Sequence, residues 1–480
     1  MPPDPVLLLR RHLGYDAFRP GQEDLVRAVL AGRDALGILP TGGGKSVCYQ
    51  VPALALGGLT LVVTPLVSLM EDQVGRARGA GLRAAHLSAA QTATERRETL
   101  ARATSGGLDI LFVAPERLEL TAFREALAAT DVRLLAVDEA HCISEWGHDF
   151  RPAYRRIGVL RGSLACPTLA LTATATPAVR DDVLASLALT RPLGVVRSFD
   201  RPNLSWSVLR GRSLAERVAA VYALLRRLRG CAIVYAPTRR AVERVRDGLA
   251  GRGLATEAYH AGLPGAERSR VQAAFMDGAC RVVVATNAFG MGIDKADVRT
   301  VAHVQLPGTL EAYYQEAGRA GRDGGPARCI AFHTRADERL SRLFVDRTHP
   351  RARELRALHR RLLRHADARG VVQPAAPDLA WVQGLAEEWL EDTGTGMLAA
   401  LERVGTIRRV TSASALAIGV RRRLDVAPAL RLRRAALAKV DAVQRYARTR
   451  GCRRRALLRY FGEDAPARCG SCDRCEADLG

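Results

Sequence analysis

Apolar positions follow two rhythms along the 480 residues of this chain. Short runs rich in β-branched residues, TLVVT (60–64), DILFV (109–113), LLAVD (134–138), CAIVY (231–235) and RVVVAT (281–286), read as buried strands. Between them lie stretches of helical period. Strands that alternate with helices predict an α/β protein whose parallel sheets are covered by helices. The layout repeats, and the second copy starts near residue 200. After residue 340 the pattern becomes mainly helical. RARELRALHRRLL (351–363) places Leu355, Leu358 and Leu362 on one helical face. Further on, a helix ending at Gly405, the run TIRRV and a second apolar run read in two ways: as a winged-helix-like module, or as a helical linker packed on the preceding domains.

The first copy carries LPTGGGKS (39–46), placed after an apolar run and before a helical one. Glycines at Gly42, Gly43 and Gly44 let backbone N–H groups turn toward phosphate oxygens, Lys45 reaches the terminal phosphates, and Ser46 can ligate Mg²⁺. Thr41 completes the loop. Of the 72 basic residues only Lys45, Lys295 and Lys439 are lysines, which gives a lysine in this motif more weight than any single arginine. A phosphate loop needs a carboxylate at the end of another strand. VRLLAVDEAH (132–141) delivers Asp138, to hold Mg²⁺, and Glu139, to orient and deprotonate the attacking water. The second copy has no phosphate loop.

The strings DEAHCISEWGHDFRPAY (138–154), LTATATP (171–177), ATNAFGMGIDKADV (285–298) and YYQEAGRAGRDG (313–324) closely resemble the RecQ family of superfamily-2 DNA helicases. The resemblance runs from about residue 7 to 335 and resumes from about 439 to 475. It implies two RecA-like motor domains with ATP in the cleft between them. It also implies adenine recognition by Tyr15, Arg19 and Gln22, and a γ-phosphate contact from Arg322 with Arg319 sensing closure, the two arginines sharing a face if their segment is helical. SEWGHDFRP (144–152) resembles the family's aromatic-rich loop, in which Trp146 and Phe150 stack on bases while His148 and Arg151 touch phosphate or relay to Glu139. By the same likeness His141 couples cleft to DNA, with further strand contacts from TPLVSLMEDQV (64–74), LTATATP and YAPTRR (235–240).

Ten cysteines bear on the picture next. Six are scattered and read as small packed residues. Cys452, Cys469, Cys472 and Cys475 follow a spacing of sixteen, two and two intervening residues, which suits a tetrahedral Zn²⁺ site. Four domains follow: a RecA-like ATP-binding domain (1–199), a second RecA-like domain (200–340), a helical or winged-helix-like segment (341–437) and a four-cysteine zinc module (438–480). In well-known family members a winged helix follows the zinc module. Here the chain ends at Gly480, which raises the question whether the 345–435 segment takes that role.

Charge agrees with a polyanionic partner: the net charge is +22 and the pI is near 10.4. The longest uncharged stretch, 46–70, is punctuated by Gln50, Pro52, Gly57, Gly58 and Pro65, and predicts a buried helix and a strand rather than a membrane span. No export signal is legible at the N-terminus, so the expected location is cytoplasmic, with the nucleoid if the source is bacterial. The resemblance, and not composition or spacing, implies 3′→5′ travel, so the expected function is 3′→5′ unwinding of duplex or branched DNA in recombination and repair, driven by ATP and Mg²⁺, on single-stranded and forked DNA. Two alternatives stand beside it: a DNA-stimulated translocase that remodels nucleoprotein complexes with little unwinding, and an RNA-directed helicase.

Overall fold

The computed structural model describes residues 3–40, 42–65, 67–88, 91–147, 150–228, 230–290, 295–373, 396–411 and 416–476. They form two units, Met1–His333 with Thr449–Gly480, and Thr334–Arg448.

The first unit holds two parallel sheets. One is built from β1 (Ala35–Ile38), β2 (Leu59–Val63), β3 (Ala84–Leu87), β4 (Ile110–Val113), β5 (Val132–Val137), β6 (Thr168–Thr172) and β7 (Leu193–Val196), in the order β3-β4-β2-β5-β6-β1-β7. The other consists of β8 (Leu204–Leu209), β9 (Cys231–Tyr235), β10 (Glu257–Tyr259), β11 (Val282–Ala285), β12 (Val298–His303) and β13 (Ala327–Phe332), in the order β10-β11-β9-β12-β13-β8. Strands β1, β2, β4 and β11 are buried along their whole length, as strands covered on both faces must be. The uncharged stretch 46–70 divides as its punctuation predicts, into helix Val47–Leu56 and strand β2, with Gly57 in the left-handed region at the helix end. No helix among the described residues is long and apolar enough to cross a membrane.

Register brings the chemistry together. Ile38 of β1 pairs with Thr172 of β6, and Ala170 of β6 pairs with Val137 of β5. The loops that follow β1, β6 and β5 therefore leave the sheet at one carboxyl edge, where ligands bind in open parallel sheets.

In the second unit, helices Arg335–Thr348, Ala352–His365, Gly396–Arg403 and Ala427–Arg448 accompany β14 (Val371–Val372), β15 (Ile407–Thr411) and β16 (Leu416–Val420). The strands form an antiparallel sheet in the order β14-β16-β15. Leu355, Leu358 and Leu362 are all buried, in one core with Leu398, Leu401, Ile407 and Ile418. Among the described residues, helix Ala352–His365, strand β14, helix Gly396–Arg403 and the hairpin β15–β16 thus share a single core. The expected boundary at 437/438 falls inside helix Ala427–Arg448. Nothing interrupts that helix: ALRLRRAALAKVDAVQRYAR contains no glycine or proline.

Candidate active site and metal centre

The phosphate loop is shaped by its glycines. Gly42 and Gly44 have φ of 79° and 69°, conformations that side chains resist. A Cβ on Gly43 would lie 2.8 Å from the Pro40 carbonyl, and one on Gly44 would lie 2.6 Å from Gln22 Nε2. Gln22 is buried, and its amide faces this loop: Nε2 donates to the Gly43 and Gly44 carbonyls at 2.9 Å each, while Oε1 accepts from Arg19 N at 2.8 Å. The Arg19 guanidinium donates to the Gly42 carbonyl. Gln22 and Arg19 therefore brace the loop directly, and Tyr15 stands exposed nearby in sequence. Thr41 lies outside the described residues.

Lys45 Nζ lies 4.0 Å from Glu139 Oε1. Asp138, at the end of β5, is buried, and this pushes its carboxyl up to about 6; the neighbouring Glu139 charge adds to the shift, and Lys45 opposes it. Glu139 N donates to Asp138 Oδ1 at 3.0 Å, and Tyr154 donates to the Asp138 carbonyl at 3.0 Å. Glu139 itself has φ 47°, the left-handed region, where even an unbranched acidic side chain costs on the order of 1 kcal/mol. Glu139 faces His141, whose Nδ1 is 3.2 Å from Glu139 Oε2 and 2.8 Å from Thr172 Oγ1. Thr172 Oγ1 in turn accepts from Thr174 N at 3.3 Å. A polar chain thus runs from the acid to LTATATP.

Arg322 reaches the loop from the second sheet's side: a Cβ on Gly42 would sit 3.4 Å from Arg322 Cδ. Arg319 is buried and donates to the Gly290 carbonyl, beside Tyr235. The two arginines do not share a helical face. Helix Leu310–Ala317 stops before them, and Gly321 and Gly324 have φ of 55° and 81°. The glycines in GRAGRDGG end the helix and make an arginine loop instead. Two residues that the sequence reading missed hold this loop. Arg201 donates to the carbonyls of Gly318, Ala320 and Gly321 at 3.1, 2.9 and 2.9 Å, and Asn203 donates to those of Gly321 and Gly325 at 2.8 Å each. The only signal for them was a pair of polar residues around Pro202 ahead of a strand. Gln73 was missed too: it hydrogen-bonds Asp138, although its segment reads as a strand-gripping one.

In the aromatic loop Trp146 is 45% exposed, free to meet a ligand face. The Arg155 guanidinium lies 5.5 Å from the centre of the half-buried Phe150 ring. Arg151 donates to the Pro65 carbonyl at 2.9 Å, joining this loop to TPLVS. His148 lies outside the described residues.

The thiols of Cys452, Cys469, Cys472 and Cys475 all lie within 4.8 Å of one another. Cys452–Cys472 and Cys469–Cys475 are each 4.0 Å apart. Tetrahedral Zn–S bonds of about 2.3 Å require about 3.8 Å between sulfurs, so the set fits the metal. Backbone N–H groups of Arg453, Arg455 and Cys469 donate to Cys472, Cys452 and Cys475 sulfurs at 3.4, 3.5 and 3.4 Å. Burial pushes the Cys475 thiol up, but the N–H groups of Cys469 and Gly470 and the neighbouring thiols outweigh it and bring it down to about 7. Of the six other cysteines, five are buried and Cys166 is half-buried.

Residues 19–183 match the DEAD/DEAH box helicase family, 216–324 the helicase conserved C-terminal domain and 417–476 the RecQ zinc-binding family. The chain is 43% identical to the ATP-dependent DNA helicase RecQ of Pasteurella multocida, over 73% of this chain and 56% of that protein. It is 36% identical to RecQ of Haemophilus influenzae, over 98% of this chain and 64% of that protein. It is also 36% identical to the probable ATP-dependent DNA helicase RecS of Bacillus subtilis, over 98% of this chain and 92% of that protein. The chain thus spans less than two thirds of the length of these two RecQ proteins. Among solved structures, Mycobacterium smegmatis Lhr bound to single-stranded DNA and AMP-PNP shares the fold at a TM-score of 0.56 and 22% identity, over 92% of this chain and 62% of that one. The helicase MrfA bound to DNA and AMPPNP does so at 0.58 and 19%, over 71% and 52%.

Proposed function

Since the chain belongs to the RecQ family of ATP-dependent DNA helicases, we propose that it couples ATP hydrolysis to 3′→5′ movement on single-stranded DNA and to duplex unwinding. One observation carries the reading: Lys45, Glu139 and the Arg322 side chain, drawn from both sheets, converge on one phosphate loop. A nucleotide there would meet backbone N–H groups and Lys45 on its phosphates. Glu139 would take the proton of the attacking water as oxygen bonds to the γ-phosphorus and the bridging oxygen leaves with ADP. Arg322 would offset the charge that builds up on the transferring group. The buried Asp138 carboxylate and the half-buried, mutually repelling Glu139 beside it suit a divalent cation; Ser46 and Asp138 would hold Mg²⁺, which supplies charge neutralisation at the phosphates.

Tyr15, with Arg19 and Gln22, would flank the base, as the family resemblance implies. Trp146 and Phe150 would stack on DNA bases, at roughly 1–3 kcal/mol each without sequence preference, while Arg151 and His148 serve the phosphates. The polar chain Glu139–His141–Thr172–Thr174 supports coupling between hydrolysis and a DNA strand held at LTATATP. The wing β15–β16, with exposed Arg421, Arg422 and Arg423 after it, suits the phosphates of forked or branched DNA of the kind met in recombination and repair. A zinc ion on the four thiolates would order the 449–476 segment. ATP turnover measured with and without single-stranded DNA tests the reading. Stimulation that is lost in Lys45→Ala supports it; equal turnover with and without DNA would overturn it.

A further inference from the structure

The segment that leads from the first sheet into the second is held from two sides. On one side lies the arginine loop, whose carbonyls are pinned by Arg201 and Asn203. On the other side lies the cysteine module. Arg454 donates to the Pro202 carbonyl at 2.8 Å and the Leu204 carbonyl at 3.3 Å, with its Nε 3.4 Å from Asp200. Glu463 accepts from Phe199 N at 2.8 Å and from the Ser198 hydroxyl. Phe461 stacks on Phe199 with ring centroids 4.5 Å apart and 13° between planes. The first domain joins the same contact, since Arg180 donates to the Phe461 carbonyl at 3.0 Å.

These contacts begin at the metal ligands. Helix Arg453–Tyr460 is capped by Cys452, whose sulfur accepts from Arg455 N. The fully buried Arg453 pairs with Asp473, the neighbour of Cys472, at 2.9 and 3.1 Å. Asp473 also accepts from Val208 N on the edge strand β8 at 3.2 Å. Arg454 is therefore presented by a helix start fixed at two cysteines, and Phe461 by that helix's end.

We propose that the cysteine module braces the 198–204 linker, and that Arg454 is a positioning residue for Arg322, acting through the linker and the carbonyls that Arg201 and Asn203 hold. This rests on the reading of Arg322 as the γ-phosphate arginine. The physical reason is that a catalytic group displaced by about 1 Å loses roughly 10²-fold in rate, while ground-state binding of nucleotide is little changed. A guanidinium carried on a glycine-rich loop is open to such displacement unless its backbone is tied.

The test compares wild type, Arg454→Ala, Asp200→Asn, Arg322→Ala and Arg454→Ala/Arg322→Ala in DNA-stimulated ATP hydrolysis, with bound zinc and single-stranded DNA affinity measured on each full-length protein. Arg454→Ala and Asp200→Asn are expected to lower kcat roughly 10–100-fold. KM for ATP, DNA affinity and zinc content stay close to wild type, and Arg454→Lys restores part of kcat. The double variant is expected to be no slower than Arg322→Ala, because one residue acts through the other. A wild-type kcat in Arg454→Ala and Asp200→Asn, beside a slow Arg322→Ala, overturns the brace and leaves the arginine finger standing. Penalties that multiply in the double variant do the same. A wild-type kcat in Arg322→Ala overturns both. Should Arg454→Ala lose its zinc or its fold, Asp200→Asn, which lies outside the module, decides alone.

Discussion

Asp138 illustrates how a single buried carboxylate trades stability for chemistry. Burial and the adjacent Glu139 raise its carboxyl to about 6, so the folded chain holds that proton more tightly than the unfolded one. Stability then falls as pH rises from the ordinary aspartate range, about 4, to about 6, and the full penalty is present above that. Asp138→Asn removes the charge and keeps an oxygen to accept from Glu139 N. Without magnesium or nucleotide, the variant should melt higher than wild type at pH 7.5, by on the order of 1–3 kcal/mol of stability, with no gain below pH about 4. ATP turnover should be lost in the same variant. Equal melting at pH 7.5 would show that the site carries no such strain. Gly44 makes the opposite case, in which a backbone angle rather than a charge is at stake. Gly44→Ala places a methyl 2.6 Å from Gln22 Nε2 at a φ of 69°, so nucleotide binding should weaken at least tenfold, as read by fluorescent-ATP titration.

At the scale of elements, the cysteine module and the arginine loop are each held by backbone carbonyls and N–H groups, which no motif spells out. The strands and the phosphate loop were legible because β-branched runs and glycine spacing report local geometry directly. The four thiol ligands were legible for the same reason, since spacing fixes reach. A shared face for Arg319 and Arg322 depended on their segment being helical, and it is not: helix Leu310–Ala317 ends before them, and Gly321 and Gly324 adopt left-handed backbone angles. Arg201, Asn203, Gln73 and Glu463 stayed hidden because their partners are distant in sequence and mostly main-chain. The brace carries its own prediction for metal removal. Stripping zinc with a chelator, or Cys472→Ser, should speed amide hydrogen exchange at Phe199 and Val208, whose N–H groups donate to Glu463 and Asp473. Amides of β4, far along the first sheet, should keep their protection. Unchanged exchange at Val208 after zinc loss would argue that the module folds without its metal.

At the scale of the molecule, two RecA-like sheets, a zinc-binding family match and a second unit with an antiparallel hairpin are consistent with the proposed DNA motor. The core of the second unit was partly visible in the sequence, through Leu355, Leu358 and Leu362 and the β-branched TIRRV. Its hairpin pairing depends on register, which a single sequence does not specify. If the wing meets DNA, Arg421→Ala, Arg422→Ala and Arg423→Ala together should reduce the salt dependence of fork binding by a slope of roughly 2–3, at unchanged DNA-stimulated ATP turnover. A slope equal to wild type would move the fork contact elsewhere. The central claim is tested most directly by strand displacement on a 3′-tailed DNA duplex, with 5′-tailed DNA and RNA duplexes as controls and Lys45→Ala as the blank. The account predicts ATP-dependent release of the strand from the 3′-tailed DNA alone, absent in Lys45→Ala; ATP hydrolysis with no strand released from any substrate would contradict it.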